Sequence, residues 1–230
     1  MGNLVGWMRG FGYGAWARVN KAVQVGLVAA LAAGPAGAET VTVAALGDSL
    51  TAGYGLPDGQ GFVPQLQAWL DANGVDAEVL NAGVSGDTTA GGLARLDWTL
   101  TPEVDALMVA LGGNDLLRGI DPATSRANLA AILEGAGERP VLLVGLPAPA
   151  NYGPAFQQAF DAMYPELAAK YDALLEESFL GPLTAELDAR TARGRYMQGD
   201  GIHPNREGVK VIVETLGPRV AELVARVAAE

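Results

Sequence analysis

The stretch that decides the fold reads Val43-Ala-Ala-Leu-Gly-Asp-Ser-Leu-Thr-Ala-Gly-Tyr54. A short, nearly continuous apolar run at 41–46 ends abruptly at Gly47-Asp48-Ser49, which is typical of a buried parallel strand closed by a turn. Ligands of open α/β sheets bind beyond the carboxyl ends of the strands, and Ser49 follows this strand at that end. Its hydroxyl is therefore a candidate reactive group, although Asp48 and Ser49 could also simply cap the next helix.

Beyond this stretch, the chain alternates segments typical of strands with segments typical of helices. Strands are expected at 41–47, 76–80, 104–111 and 141–146, with a short fifth strand either before Gly181 or near 195–197. Helices are expected at 61–73, from 87 or 88 to about 100, from 122 to the glycines at 135–137, at 154–171 with an interruption at Pro165, and at 205–229 with a break near Gly217-Pro218. This alternation predicts an α/β protein, a three-layer α/β/α sandwich with a central parallel sheet of about five strands.

Residues 1–38 have the composition of a secretory signal peptide. Basic residues precede an apolar segment at 22–33, which is too short to span a bilayer because a spanning helix needs about 20 residues. Ala36-Gly37-Ala38 then matches the small-residue pattern of a cleavage site, so we expect cleavage before Glu39. An uncleaved membrane anchor is the alternative, because the basic region is long. Cleavage predicts one domain at 39–230, located in the periplasm or secreted, with no stable membrane anchor.

The charge and the cysteine content of the chain exclude several classes of protein. Without residues 1–38, 12 basic and 26 acidic residues remain, which gives a formal net charge of −14. An acidic surface of this kind argues against nucleic acid and against electrostatic docking on anionic lipid. The chain has no cysteine, so disulfide and thiolate chemistry are excluded. We expect no cofactor, and a monomer is the expected state.

Four short blocks stand out, and the first three of them lie at the ends of predicted strands. They are Gly47-Asp48-Ser49-Leu50, Asn81-Ala82-Gly83-Val84-Ser85-Gly86-Asp87, Gly112-Gly113-Asn114-Asp115 and Asp200-Gly201-Ile202-His203-Pro204. Together, and in this order, they resemble the SGNH (GDSL) hydrolase family. The segments 92–96, 146–153 and 199–205 further resemble its bacterial branch of arylesterases and multifunctional acyl-CoA thioesterase/lysophospholipases. The resemblance implies a flavodoxin-like SGNH hydrolase fold and a catalytic serine.

The chemistry of a serine nucleophile agrees with this resemblance. A serine hydroxyl is a poor nucleophile at neutral pH and needs a nearby base, and histidine suits this task because its ordinary pKa is about 6.5. The chain has one histidine, His203, and Asp200 precedes it by three residues. That spacing allows the carboxylate to hold the other ring nitrogen of the histidine. Ser49, Asp200 and His203 are therefore the predicted catalytic residues, with a helix-capping or surface role for His203 as the alternative.

The anion that forms when the serine attacks needs hydrogen-bond donors that already point at it. The family resemblance implies three donors: the backbone N–H of Ser49, the backbone N–H of Gly86 and the side-chain amide of Asn114. Glycine suits the second position because its backbone can approach a substrate closely, and an amide donates without adding a charge. Ordinary turn chemistry at Gly86 and Asn114 is the alternative.

Other catalytic mechanisms find less support in the sequence. Ser85 is the competing nucleophile, because it lies in one of the four blocks. A Gly-x-Ser-x-Gly elbow is absent, since Thr51 occupies the second glycine position, so an α/β-hydrolase is disfavoured. One histidine and no cysteine leave only carboxylates as metal ligands, and none shows ligand spacing, so we expect no metal site.

Apolar side chains follow the third and fourth predicted strands and are expected to form the walls of the site. The predicted substrate-binding residues are Leu116, Leu117, Pro149 and Tyr152, with Ile120 and Phe156 as neighbours on the same segments. Ordinary loop packing is the alternative for each of them. Arg118 is expected to be a solvated surface residue, with contact to a negatively charged head group as the alternative.

The resemblance implies a serine ester hydrolase of the arylesterase, acyl thioesterase or lysophospholipase type. Such an enzyme cleaves carboxylic and thio esters through an acyl-enzyme. The expected partner is a small-molecule ester, thioester or lysophospholipid substrate. Two alternatives remain. One is a carbohydrate or peptidoglycan O-acetylesterase that uses the same residues, and the other is a non-catalytic acyl-binding or glycan-binding protein whose site is a relic.

Overall fold

A parallel sheet forms the centre of the computed structural model, which describes residues 40–185 and 187–229. The predicted signal peptide, residues 1–38, lies outside the described residues. The strands are β1 Val41–Gly47, β2 Ala77–Gly83, β3 Ala106–Ala110, β4 Val141–Val144 and β5 Leu174–Glu176. The helices are α1 Ser49–Ala52, α2 Phe62–Ala72, α3 Thr89–Ala94, α4 Leu96–Thr99, α5 Gly113–Leu117, α6 Pro122–Gly135, α7 Pro154–Lys170, α8 Ala189–Tyr196 and α9 Arg206–Val227, with 3₁₀ turns at Ala150–Tyr152 and Gly181–Thr184.

The strand order is β2-β1-β3-β4-β5, and all neighbouring strands are parallel. In this register Gly47 at the end of β1 lies level with Gly83 of β2 and with Ala110 of β3. The chain therefore leaves three adjacent strands at one height on one edge of the sheet. The chain order reverses direction between β1 and β3, which is the place where open α/β sheets bind their ligands. The predicted α/β/α sandwich with five parallel strands is confirmed.

Each face of the sheet is covered by its own apolar core. Val43 and Ala45 of β1 point to one face, where α2 and α9 supply buried residues such as Leu66 and Ile212. Ala44 and Leu46 point to the other face, where α6 and α7 supply buried residues such as Ile132 and Phe160. Burial on both faces explains why the strands read as continuous apolar runs and do not alternate.

Two helices continue through prolines at which breaks were predicted. Pro165 lies inside α7 and Pro218 lies inside α9. Both prolines are on the solvent side, and buried residues precede and follow each of them. A proline inside a helix costs about 3 kcal/mol, and apolar burial on both sides offsets that cost here. The predicted interruptions at these two positions are therefore wrong.

The remaining differences from the predicted elements are small. The fifth strand lies at Leu174–Glu176, the first of the two predicted locations, and residues 189–196 form α8. The helix predicted from 87 or 88 to about 100 is divided at Arg95 into α3 and α4. No helix in the described part of the chain combines the length and the apolar character that a membrane span requires.

Gly217 provides a stability test of the packing between α2 and α9. A Cβ at this buried position would lie 2.5 Å from the indole ring of Trp69 on α2. We expect Gly217→Ala to lower the free energy of unfolding by about 1–3 kcal/mol in urea titrations, because overpacking moves the ring or the helix. Gly194→Ala is the matched control on α8, where no atom lies within 4 Å of the added Cβ; it should stabilise the protein by about 0.5–1 kcal/mol. Equal effects of both changes would contradict close packing at Trp69.

Candidate active site

The loops after β1, β2 and β3 meet at the carboxyl edge of the sheet because these strands end level with one another. Asp48 caps α1 by accepting a hydrogen bond from the backbone N–H of Leu50 at 3.0 Å, and Ser49 is the first residue of this helix. Helix α1 lies directly across the end of β2, where a Cβ on Gly83 would be 2.4 Å from the backbone nitrogen of Ala52. The glycine therefore allows the close approach that places Ser49 above the sheet edge.

The side chains of Ser49, His203 and Asp200 form a hydrogen-bonded chain. Nε2 of His203 lies 2.8 Å from Oγ of Ser49, and Nδ1 of His203 lies 2.6 Å from Oδ2 of Asp200. Ser85 also lines the cavity, but Nε2 of the histidine contacts Ser49. The structure thus brings together the three residues predicted as catalytic, in the order that a Ser-His-Asp triad requires.

The Asp200 carboxylate determines which ring nitrogen of His203 carries the proton. Its hydrogen bond from His203, together with bonds from the backbone N–H groups of Ile202 and His203, lowers the pKa of Asp200 to about 2. The carboxylate is therefore ionised at neutral pH and accepts the proton of Nδ1. In the neutral imidazole, Nε2 then has a free lone pair that points at the Ser49 hydroxyl, which is the arrangement that a general base needs.

The loop that carries Asp200 and His203 is held between α8 and α9. The backbone N–H of Gln198 donates to the carbonyl oxygen of His203 at 2.8 Å, which closes the loop. The Gln198 side-chain amide donates to the carbonyl oxygens of Tyr54 and Pro204, at 2.8 and 3.0 Å. The Tyr54 ring lies against the imidazole, with 4.6 Å between the ring centroids. Gln198 and Tyr54 therefore fix the loop and the ring of His203 relative to α1.

The predicted oxyanion donors Gly86 and Asn114 line the same cavity as Ser49. Gly86 has a φ of 88°, a left-handed conformation that favours glycine. Arg118 donates to the Gly86 carbonyl oxygen at 2.7 Å, so this arginine contacts the site loop and is not simply solvated. The side-chain nitrogen of Asn114 lies 2.9 Å from the Asp87 carbonyl oxygen and 3.2 Å from Oδ2 of Asp48. Both amide hydrogens of Asn114 therefore have acceptors.

Asp48 is a buried carboxylic acid next to the candidate nucleophile. Only 3% of the residue is exposed. Burial raises the pKa of Asp48 to about 6, although the hydrogen bonds from Leu50 and Asn114 oppose this rise. The group therefore changes its charge in the pH range in which histidine also titrates.

A cavity of about 950 Å³ opens at the serine. The four predicted substrate-binding residues, Leu116, Leu117, Pro149 and Tyr152, all line it. The Tyr152 hydroxyl donates to the Leu116 carbonyl oxygen and so connects the two walls that these residues form. Ile120 and Phe156 do not line the cavity; the Phe156 ring stacks on Tyr152.

Part of the cavity lining was missed by sequence reasoning. It includes residues after β5 and before the His203 loop, among them Leu180, Gly181, Thr184 and Met197. This region has no clear periodicity, but one signal was present: apolar residues and Gly-Pro follow the fifth strand, as in the loops after the other strands. Among residues 40–185 and 187–229, no group of three or more possible metal ligands occurs.

This geometry defines a serine hydrolase of the three-layer α/β type, and comparison with known proteins gives its family. The model of the GDSL-like lipase/acylhydrolase family matches residues 45–211, and the chain belongs to this family. It is 41% identical over 192 residues to the esterase TesA of Pseudomonas aeruginosa, which covers 82% of this chain and 91% of that protein. It is 36% identical over 198 residues to the thioesterase 1/protease 1/lysophospholipase L1 of Escherichia coli K12, covering 82% and 86% of the two chains.

Solved structures agree with this assignment. The crystal structure of TesA has a TM-score of 0.71 and 39% identity and covers 79% of this chain and 99% of that chain. AlinE4, an esterase of the SGNH-hydrolase family, has a TM-score of 0.65 and 43% identity over 80% of this chain and 97% of that chain. The protein is thus a serine hydrolase that acts on ester bonds, as the sequence predicted.

The raised pKa of Asp48 predicts a specific pH dependence of stability. A carboxyl group whose pKa is higher in the folded state than in the unfolded state stabilises the fold while it is protonated, and this contribution is lost as the pH rises through the folded pKa. As the pH rises from 4 to 6, the wild type should therefore lose about 1–3 kcal/mol more of its free energy of unfolding than Asp48→Asn does. Urea unfolding at pH 4, 5, 6 and 7 measures it. Parallel pH curves for both proteins would show that Asp48 ionises with its ordinary pKa.

Proposed function

We propose that the protein hydrolyses medium-chain carboxylic and thio esters, with Ser49 as nucleophile, His203 as general base and acid, and Asp200 as the group that orients the histidine. The observation that carries this proposal is the Ser49-His203-Asp200 hydrogen-bonded chain at the mouth of a large, mostly apolar cavity. The names of its relatives, which include esterase, thioesterase, lysophospholipase and arylesterase, support this class of substrate.

The reaction proceeds in two acyl-transfer steps. Ser49 Oγ attacks the carbonyl carbon while its proton passes to Nε2 of His203. The tetrahedral intermediate collapses, the C–O or C–S bond breaks, and the leaving alcohol or thiol takes the proton from His203. Water then attacks the acyl-enzyme by the same route and releases the acid. Asp200 remains ionised throughout, because its pKa is about 2, and it stabilises the imidazolium.

The negative oxygen of each intermediate is stabilised by the backbone N–H groups of Ser49 and Gly86 and by the Asn114 amide. In the resting site, Asn114 makes a shorter hydrogen bond to the Asp87 carbonyl oxygen than to Asp48. The bond to Asp87 fixes the plane of the amide, so the other N–H, which lies toward Oδ2 of Asp48, is the one available to the substrate oxygen. Protonation of Asp48 weakens the bond that competes for this N–H.

The cavity walls support an acyl chain as the preferred substrate group. Leu116, Leu117 and Pro149 line the cavity together with Leu180 and Met197, and its volume of about 950 Å³ is far larger than an acetyl group requires. Burying each methylene of a chain contributes about 0.8 kcal/mol. An O-acetylesterase would leave most of this apolar surface unused.

The proposal includes the cellular location and the partners. Residues 1–38 are proposed to direct export and to be removed before Glu39, so that the enzyme works in the periplasm or outside the cell on small-molecule esters. Nucleic acid is not proposed as a partner, because the remaining chain carries a net charge of −14. One chain supplies every residue of the site, which supports a monomer. The intact mass of the exported protein tests the cleavage, and light scattering tests the monomer. A mass that retains residues 1–38 would contradict cleavage.

Replacing Ser49 tests the nucleophile. Ser49→Ala should lower kcat for p-nitrophenyl butyrate by at least about 10⁴-fold, because it removes the attacking atom. Ser85→Ala is the matched control at the competing serine and should retain activity within a few-fold. Both variants should keep the wild-type circular dichroism spectrum. A folded Ser49→Ala protein with wild-type activity, or loss of activity only in Ser85→Ala, would refute the assignment.

A chain-length series tests the acyl pocket. kcat/KM for p-nitrophenyl esters should rise by about tenfold or more from acetate to octanoate, because added methylenes leave water for apolar walls. Leu180→Ala should reduce the octanoate value several-fold more than the acetate value. Trp98→Ala is the control, because Trp98 is 86% exposed and does not line the cavity. An acetate preference in the wild type, together with release of acetate from acetylated glycans, would favour the O-acetylesterase.

A further inference from the structure

Arg95 lies beneath the active site and makes three hydrogen bonds there. It belongs to the segment 92–96, to which the sequence assigned no function, and it is the residue at which α3 and α4 meet. Its side chain is 21% exposed. Nε donates to Oδ2 of Asp87 at 2.6 Å, Nη1 to the Ala82 carbonyl oxygen at 2.7 Å, and Nη2 to the Gly47 carbonyl oxygen at 2.9 Å.

Each of these acceptors lies on a chain segment that leads to, or directly follows, a group that contacts the reacting oxygen in the proposed mechanism. Gly47 ends β1 and is two residues before Ser49, whose N–H is one oxyanion donor. Ala82 is in the last part of β2, the strand that leads to Gly86. Asp87 directly follows Gly86, the second donor.

The third donor, Asn114, is connected to the same arginine through Asp87. The Asp87 carbonyl oxygen accepts a hydrogen bond from the Asn114 amide, while the Asp87 carboxylate pairs with Arg95. Gly91 leaves room for this carboxylate, since a Cβ there would lie 2.7 Å from Oδ1 of Asp87. One guanidinium therefore contacts the two chain segments that supply Ser49 and Gly86, and it is connected to Asn114 through Asp87.

We propose that Arg95 is a positioning residue that sets the spacing of the oxyanion donors, an inference that rests on the proposed function. A guanidinium is planar and presents its N–H groups in a rigid fork, so three bonds fix three acceptors relative to one another. Lysine keeps the charge but cannot reproduce this geometry. Because catalysis depends on donors placed for the transition state, a small displacement of Gly86 or Asn114 lowers kcat more than it changes substrate binding.

Arg95→Lys tests this proposal with Arg139→Lys as the matched control. Arg139 is also partly buried and also donates to backbone oxygens, to Val104 at 2.8 Å and to Ala136 at 3.4 Å, but Val104 precedes β3 at the other edge of the sheet. Arg95→Lys should lower kcat for p-nitrophenyl butyrate by about 10- to 100-fold with KM changed less than about threefold. Arg139→Lys should keep kcat within about twofold, even if its melting temperature falls as much as that of Arg95→Lys.

A double variant distinguishes positioning from general loss of stability. If Arg95 acts through the oxyanion donors, Arg95→Lys should cost less in an Asn114→Ala background than in the wild type, because one of the three donors that it positions is already absent. Independent, multiplicative losses, or an equal fall of kcat in Arg139→Lys, would overturn the proposal. If Arg95→Lys does not fold, Asp87→Asn provides the test. It weakens the ion pair but retains the backbone, and a wild-type kcat would overturn the role.

The failure of this inference and the failure of the proposed function give different results. Full activity of Arg95→Lys beside an inactive Ser49→Ala would overturn only the positioning role. An active Ser49→Ala would remove the proposed function itself, whatever the result for Arg95.

Discussion

The hydrogen bond between Ser49 Oγ and His203 Nε2 is the contact on which the chemistry of this protein depends. It joins residues 154 positions apart in the chain at 2.8 Å. Neither group is reactive alone at neutral pH, because the hydroxyl needs a base and the base needs a fixed tautomer. Asp200 fixes the tautomer by accepting the proton on Nδ1 of His203. Because the pKa of Asp200 is low, its carboxylate stays ionised over the pH range in which histidine titrates.

The sheet determines where this contact forms. Because β1, β2 and β3 are parallel and end at one level, their loops bring Ser49, Gly86 and Asn114 to the same edge without long excursions. The His203 loop lies between α8 and α9 at that edge, and the Gln198 side chain binds it to Tyr54 beside α1. Arg95 donates hydrogen bonds to Gly47 of β1, to Ala82 of β2 and to Asp87. The candidate site therefore depends on a small number of short loops on a regular α/β frame.

Much of this arrangement could be predicted from the sequence, for identifiable physical reasons. Strands buried on both faces give unbroken apolar runs, and a single histidine leaves one candidate base. Proline positions were misjudged because sequence does not reveal that Pro165 and Pro218 lie on solvent faces with buried residues on each side. The wall at Leu180 and Met197 was missed because irregular segments have no period. The role of Arg95 was invisible because its acceptors are mostly backbone oxygens.

The most direct measurement is a crystal structure of the protein after reaction with a phosphonate ester, whose tetrahedral adduct resembles the intermediate. The phosphorus should be bonded to Ser49 Oγ. The phosphonyl oxygen should lie about 3 Å from the backbone nitrogens of Ser49 and Gly86 and from the Asn114 amide nitrogen, with His203 near the position of the leaving group. Phosphorus on another side chain, or an oxygen that points away from Gly86 and Asn114, would contradict the convergence of these loops on one reacting atom.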